Sequence, residues 1–298
     1  MTIQKIATLS STALTLALSC ALLQPPSALG QPPAAGAPKG KAPDPRVQQR
    51  TYRFTDTNED LPYALFVSSK VSKDKKAPLI VALHGVFGDG NALLRGEAID
   101  LAEAGGYILV GPMGYNPQGW YGSPVIVMNG PPGQGKGKGT GAAKGGPPPT
   151  PEPPNLAELS EKDVMNVLAI MRKEFMVDDK RTYLMGHSMG GAGSIFLGVK
   201  YQSIWAAVGA EAPATSPAGL TPDTFSLEPA RNIPVIIVQG DMDTLVPVAG
   251  TRLWIEKLKE LNMTYQYVEV AGGDHGSVLT TGAPDIFAFF AKHTKAGH

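Results

Sequence analysis

Serine is a weak nucleophile until a base takes its proton and the backbone presents its Oγ. The run Gly186-His187-Ser188-Met189-Gly190 meets the second need. Its G-x-S-x-G spacing is that of a sharp strand-to-helix turn. Residues two away from the serine crowd one another there, and glycine, lacking a Cβ, avoids the clash. A short motif of this kind is weak in a chain with 35 glycines. Its flanks strengthen it: Arg181–Met185 reads as a buried strand, and Gly193–Tyr201 continues as a helix with an apolar face.

A base and its orienting acid are expected at the ends of later strands, in the chain order serine, acid, histidine. His275, in Gly273-Asp274-His275-Gly276, is the expected base. Of the other four histidines, His293 and His298 lie in or beyond the last helix, while His84 and His187 sit beside backbone parts of the site. His187 adjoins the serine, where it either contacts substrate or supports a loop. Asp243 is the expected orienting acid, because Thr244-Leu245-Val246-Pro247 then starts the next helix. Asp241 has the position of a turn cap, and Asp274 adjoins the base in sequence, where neighbouring side chains diverge.

Acyl transfer also needs N–H donors aimed at the oxyanion. One is the amide of Met189. The second is expected from His84-Gly85-Val86-Phe87-Gly88, with Val86 ahead of Phe87, whose side chain would then line the acyl pocket. Trp120 and Tyr121, in a glycine-rich loop after a strand, form either an aromatic substrate wall or packing for that loop. Glu211 follows a strand end as a rim contact or a solvated carboxylate.

The elements that must position these residues alternate. Thr51–Phe54 and Pro62–Val67 flank Asn58-Glu59-Asp60 as a β-hairpin. Pro78–Leu83, Tyr107–Gly111, Ala206–Ala210, Ile233–Gln239 and Thr264–Val270 read as strands. Helices are expected over Asn91–Ala104, from a capping box at Ser160–Asp163 to about Phe175, over Val248–Leu261, and over Ala283–His293. This order predicts an α/β domain over 49–294 with one doubly wound, mostly parallel sheet flanked by helices. The short intervals from Ser188 to Asp243 and His275 leave no room for a large cap domain between nucleophile and acid.

Of the 298 residues, 43% are hydrophobic, enough for a sizeable core, and the formal net charge is zero. That balance argues against nucleic acid as a partner. Lys5, the apolar run Ile6–Leu23 and Ala28-Leu29-Gly30 read as a signal peptide over 1–30, and so as export to the periplasm or outside the cell. The mature chain then has no integral membrane segment. Cys20, the only cysteine, offers a lipoprotein site; cleavage after Gly30 instead leaves no cysteine and no disulfide. Residues 31–48 form a Pro/Ala/Gly-rich linker, and 130–154 a Gly/Lys/Pro-rich insertion.

Four segments together resemble the α/β-hydrolase superfamily: Leu83-His84-Gly85, Asp178–Gly191, Gly240–Pro247 and Gly273–Gly276. Within it the chain resembles secreted polyhydroxybutyrate depolymerases and feruloyl esterases, with dienelactone hydrolase and prolyl oligopeptidase as relatives. The resemblance implies an α/β-hydrolase fold and hydrolysis of a small-molecule or polymeric ester through an acyl-serine, with no cofactor and no metal. It departs from many secreted depolymerases in lacking Cys-Gly-Gly after His84-Gly85. Two other functions use the same fold: a prolyl oligopeptidase-like peptidase or amidase, and a non-catalytic binding protein.

Overall fold

Strand β3 (Ala77–Leu83) is apolar throughout and buried at every position. Alternate side chains point to opposite faces of a strand. Leu79, Val81 and Leu83 join one apolar cluster, and Ile80 and Ala82 join another. A strand with two dry faces needs helices on both, and the chain supplies them. The computed structural model describes residues 42–124, 152–215 and 220–295. The expected signal peptide, Cys20, most of the linker, His298 and most of the 130–154 insertion lie outside the described residues.

Eight strands form one sheet in the order β1-β2-β4-β3-β5-β6-β7-β8. β1 (Gln48–Phe54) and β2 (Glu59–Val67) are the predicted hairpin, and β2 runs antiparallel to β4 (Ile108–Pro112). β3, β4, β5 (Val177–His187), β6 (Val208–Glu211), β7 (Val235–Gly240) and β8 (Tyr265–Val270) are parallel. Helices α1 (Glu97–Gly105), α5 (Val278–Thr281) and α6 (Ala283–Lys292) cover one face through Ile99, Val278, Ile286 and Phe290. On the other, α2 (Leu156–Glu174) packs Val164, Val167 and Met171. Beside it, α3 (Met189–Lys200) and α4 (Val248–Glu260) bring Ile195, Trp254 and Leu258. Full burial of such side chains contributes about 1.5–3 kcal/mol each. No helix among the described residues is long and apolar enough to cross a membrane.

Three local expectations are corrected. The hairpin turn is shorter than expected, because Glu59 and Asp60 already pair with Phe54 and Arg53. The first helix starts at Glu97 rather than Asn91; Gly96, at φ 52°, breaks the chain direction first. Ser160 and Asp163 do not cap α2, which begins at Leu156. Both are fully buried in its first half, where the Ser160 Oγ accepts the Tyr121 amide (3.0 Å) and Asp163 accepts the Gly114 amide (2.6 Å). Tertiary partners replace the local cap.

The close approach of β3, β5 and α3 depends on two glycines. A Cβ on Gly186 would stand 2.1 Å from the Gly190 carbonyl oxygen, and one on Gly190 would stand 2.0 Å from that of Leu83. Both obstacles are backbone, so neither can swing away. Gly190→Ala is expected to lower stability by at least about 3 kcal/mol or to prevent folding, which thermal unfolding by circular dichroism would measure.

Candidate active site

β5 ends at His187 and α3 begins at Met189, leaving Ser188 alone in the turn at φ 57°, ψ −116°. Such a backbone costs about 1–3 kcal/mol and persists only where its surroundings over-determine it. Here they do. The Ser188 amide donates to the Glu211 carbonyl (2.9 Å), and its own carbonyl accepts the amides of Ala192 (3.0 Å) and Ala214 (2.9 Å). Ser188 is buried but for 8% of its surface.

Two amides open onto this turn. That of Met189 stands in the first turn of α3, where a helix has no internal acceptor for it. Gly85 abuts the nucleophile from β3: a Cβ there would lie 3.3 Å from that of Ser188. Beyond it the Phe87 amide donates to the Pro117 carbonyl and the Gly88 amide to the Gly85 carbonyl, each at 2.9 Å. Among the described residues the Val86 amide has no partner. The loop thus leaves Val86, and not Phe87, with an N–H to offer an oxyanion.

Asp243 and His275 meet across the ends of β7 and β8: the imidazole Nδ1–H donates to Oδ2 at 2.8 Å. The remaining lone pairs of Asp243 are also occupied. Oδ2 accepts Gln239 Nε2 (3.0 Å), while Oδ1 accepts the amides of Leu245 (2.9 Å) and Val246 (2.8 Å). Burial alone would raise this carboxyl. The Val246 amide, His275 and the Leu245 amide outweigh burial and hold it below its ordinary value, as an anion. Nδ1–H so engaged leaves Nε2 as the basic nitrogen. Among the described residues the Ser188 Oγ has no hydrogen-bond partner, so the contact with His275 is not closed in this conformation, as is common before substrate binds.

His187, next to Ser188 in the chain, also reaches His275. Its Nε2–H donates to the His275 carbonyl (2.8 Å), and the two rings lie 4.8 Å apart. Burial pushes its pKa down to about 4, so it is neutral at pH 7. The arrangement makes it a support for the loop that carries His275.

Other expectations divide. Trp120 is half-buried and packs against the α2 and α4 sides of the core. Tyr121 is fully buried, so it is no substrate wall; its hydroxyl donates to the His84 carbonyl at 3.0 Å and steadies the Val86 loop from behind. His84 is buried below that loop with Nε2 on the Met113 carbonyl (2.8 Å). Phe87, 66% exposed and at φ 63°, stands at the mouth. Asp241 accepts the Gly272 amide (2.7 Å), and exposed Asp274 accepts those of Gly276 and Ser277. Glu211 is neither rim nor solvated. It is fully buried, and both carboxyl oxygens lack a hydrogen-bond partner.

Two supports went unseen in the sequence. Gln239 bridges Asp243 to Thr251, whose Oγ1 donates to its Oε1 at 2.8 Å. Asp163 on α2 gathers the Tyr52 hydroxyl and the amides of Gly114 and Tyr115, fixing the loop that receives the Phe87 amide. Gln239 ends a strand next to the acid, which is a weak local signal; Asp163 gives none.

The two buried groups predict opposite pH effects. His187, depressed from 6.5 to about 4, binds fewer protons folded than unfolded. Stability should therefore fall as pH drops from 6.5 toward 4. His187→Gln should flatten that part of the Tm–pH curve. Burial raises Glu211 well above the usual carboxyl value, so its folding contribution is lost as pH rises above 4.5. Glu211→Gln should raise Tm more at pH 8 than at pH 4.5, by differential scanning calorimetry.

Residues 161–277, which span Ser188, Asp243 and His275, match the Esterase family. A search of curated protein sequences finds no match. Among solved structures, a ferulic acid esterase from Anaeromyces mucronatus is similar at 19% identity and TM-score 0.59, over 88% of this chain and 95% of that one. An S-formylglutathione hydrolase from Agrobacterium tumefaciens is similar at 16% identity and TM-score 0.62, over 84% and 95%. A thermostable esterase aligns at 21% identity and TM-score 0.58 over 84% of this chain, which spans 64% of that longer protein. The chain thus shares the fold of these hydrolases, and its residues 161–277 are similar to the Esterase family.

Proposed function

We propose that the chain is an exported serine carboxylesterase that hydrolyses small to medium esters through an acyl-serine. The observation that carries this reading is the Asp243–His275 hydrogen bond facing a serine held in a strained turn. Ser188 Oγ attacks the ester carbonyl carbon while His275 Nε2 takes its proton. Asp243, fixed by four hydrogen bonds, holds the tautomer and stabilises the imidazolium. The amides of Val86 and Met189 receive the oxyanion. Collapse breaks the carbon–oxygen bond to the alcohol, which leaves with the proton from His275. Water, deprotonated by the same histidine, then attacks the acyl-serine and releases the acid.

Phe87 at the mouth is the proposed acyl-side contact, with Trp120 behind the neighbouring loop. Support for export is the apolar, small-residue segment before Gln31.

Ser188→Ala should lower kcat/KM on p-nitrophenyl esters by at least about 10³-fold with Tm retained. The chain-length maximum from acetate to palmitate should fall at short or medium esters. Wild-type protein should also be labelled by a fluorophosphonate, and the variant should not. Retained turnover in Ser188→Ala overturns the assignment.

A further inference from the structure

The five segments at the strand ends around Ser188 share a composition. Residues 84–90, 113–123, 212–215, 240–247 and 271–277 contain no lysine or arginine, in a chain with 26 of them. The first cation along the segment after β3 is Arg95, beyond buried Leu93 and Leu94 and against α1, with its Nε on the Asn91 carbonyl. The same segments expose three carboxylates, Asp89, Asp241 and Asp274.

Large apolar side chains concentrate there as well. Six are exposed among the described residues, and four of them flank the nucleophile: Val86 and Phe87 on the β3 side, Met242 and Leu245 on the β7 side. Met242 and Leu245 bracket Asp243, while Val86 and Phe87 follow the glycine that touches Ser188. Scattered exposed apolar residues need no explanation. Their placement on both sides of one reactive serine does.

We infer that the site selects esters that are uncharged and apolar on both sides of the scissile bond, and rejects those carrying a carboxylate or phosphate near it. This rests on the hydrolase reading above. An anionic substrate would lose hydration against Val86, Phe87, Met242 and Leu245, find no cation in these five segments, and face the field of three carboxylates. A neutral acyl chain buries the same apolar surface at no electrostatic cost.

The test uses three p-nitrophenyl esters of equal reach: pentanoate, the glutarate monoester ending in a carboxylate, and 4-(trimethylammonio)butanoate ending in a cation. At about 0.01 M salt, kcat/KM for the glutarate ester should fall at least about tenfold below pentanoate, and the cationic ester should not. The gap should narrow at about 1 M salt, where screening shortens to about 3 Å. It should also narrow in Asp89→Asn/Asp241→Asn/Asp274→Asn, which keeps an Oδ1 acceptor for each loop amide. Phe87→Ser and Leu245→Ser should reduce the rate on pentanoate relative to acetate. A glutarate rate within about threefold of pentanoate at low salt overturns the inference and leaves the hydrolase reading standing. No turnover of any of the three, by folded protein, overturns the hydrolase reading itself.

Discussion

The candidate site hangs on the contact of three backbones where Gly186 meets Gly190 and Gly190 meets the end of β3. No side chain intervenes, so strand, elbow and neighbouring strand are spaced by main-chain atoms alone. That spacing holds Ser188 outside the ordinary regions of φ/ψ and brings Gly85 against it. The loop from β3 can then offer an amide toward the same point as the first turn of α3. A serine held in the turn before a helix and two amides near it are one geometric consequence, and they would be lost together.

Around that contact the polar groups are organised in two frames. Asp243 draws hydrogen bonds from Gln239, Leu245, Val246 and His275 and so behaves as a fixed anion under the imidazole. Asp163 does the same on the opposite side for the loop beginning at Gly114. Buried polar groups with partners specify one arrangement, and those without are costly. Glu211 breaks the pattern. Its backbone carbonyl takes the Ser188 amide, yet its carboxyl is unpartnered, and Oε1 would lie 2.9 Å from a Cβ on Gly282 at the α5–α6 junction. One residue thus spans from Ser188 to the helices that follow His275.

Much of this was legible in the sequence because its signals are local. The apolar runs at 78–83 and 233–239 have the unbroken character of doubly covered strands. The Gly-His-Ser-Met-Gly turn states its own backbone requirement, and Asp243 and His275 follow strands at once. What escaped depends on partners far along the chain. Tyr52 and Asp163 are 111 positions apart, and nothing near Asp163 tells of that bond. Ser160–Asp163 has the letters of a helix start, but its side chains turn inward to a loop that no window around α2 contains. Glu211 reads in the sequence as a rim contact or a solvated carboxylate because it follows a strand end; the helices packed over it lie some seventy residues later, at Val278 and beyond.

Ser123 and Glu161 hold a broader consequence for how the chain tolerates change. Ser123 ends its loop with both amide and hydroxyl on the Trp120 carbonyl, and Gly122 lies against Glu161 and the Ala157 carbonyl at the start of α2. The chain therefore departs after Ser123 beside the helix to which it returns at Leu156. Both anchorage points are set by contacts inside the domain. A Cβ on Gly122 would stand 2.7 Å from Glu161 Oε2, so a side chain there would press on the first turns of α2 and on the loop that ends at Ser123 together.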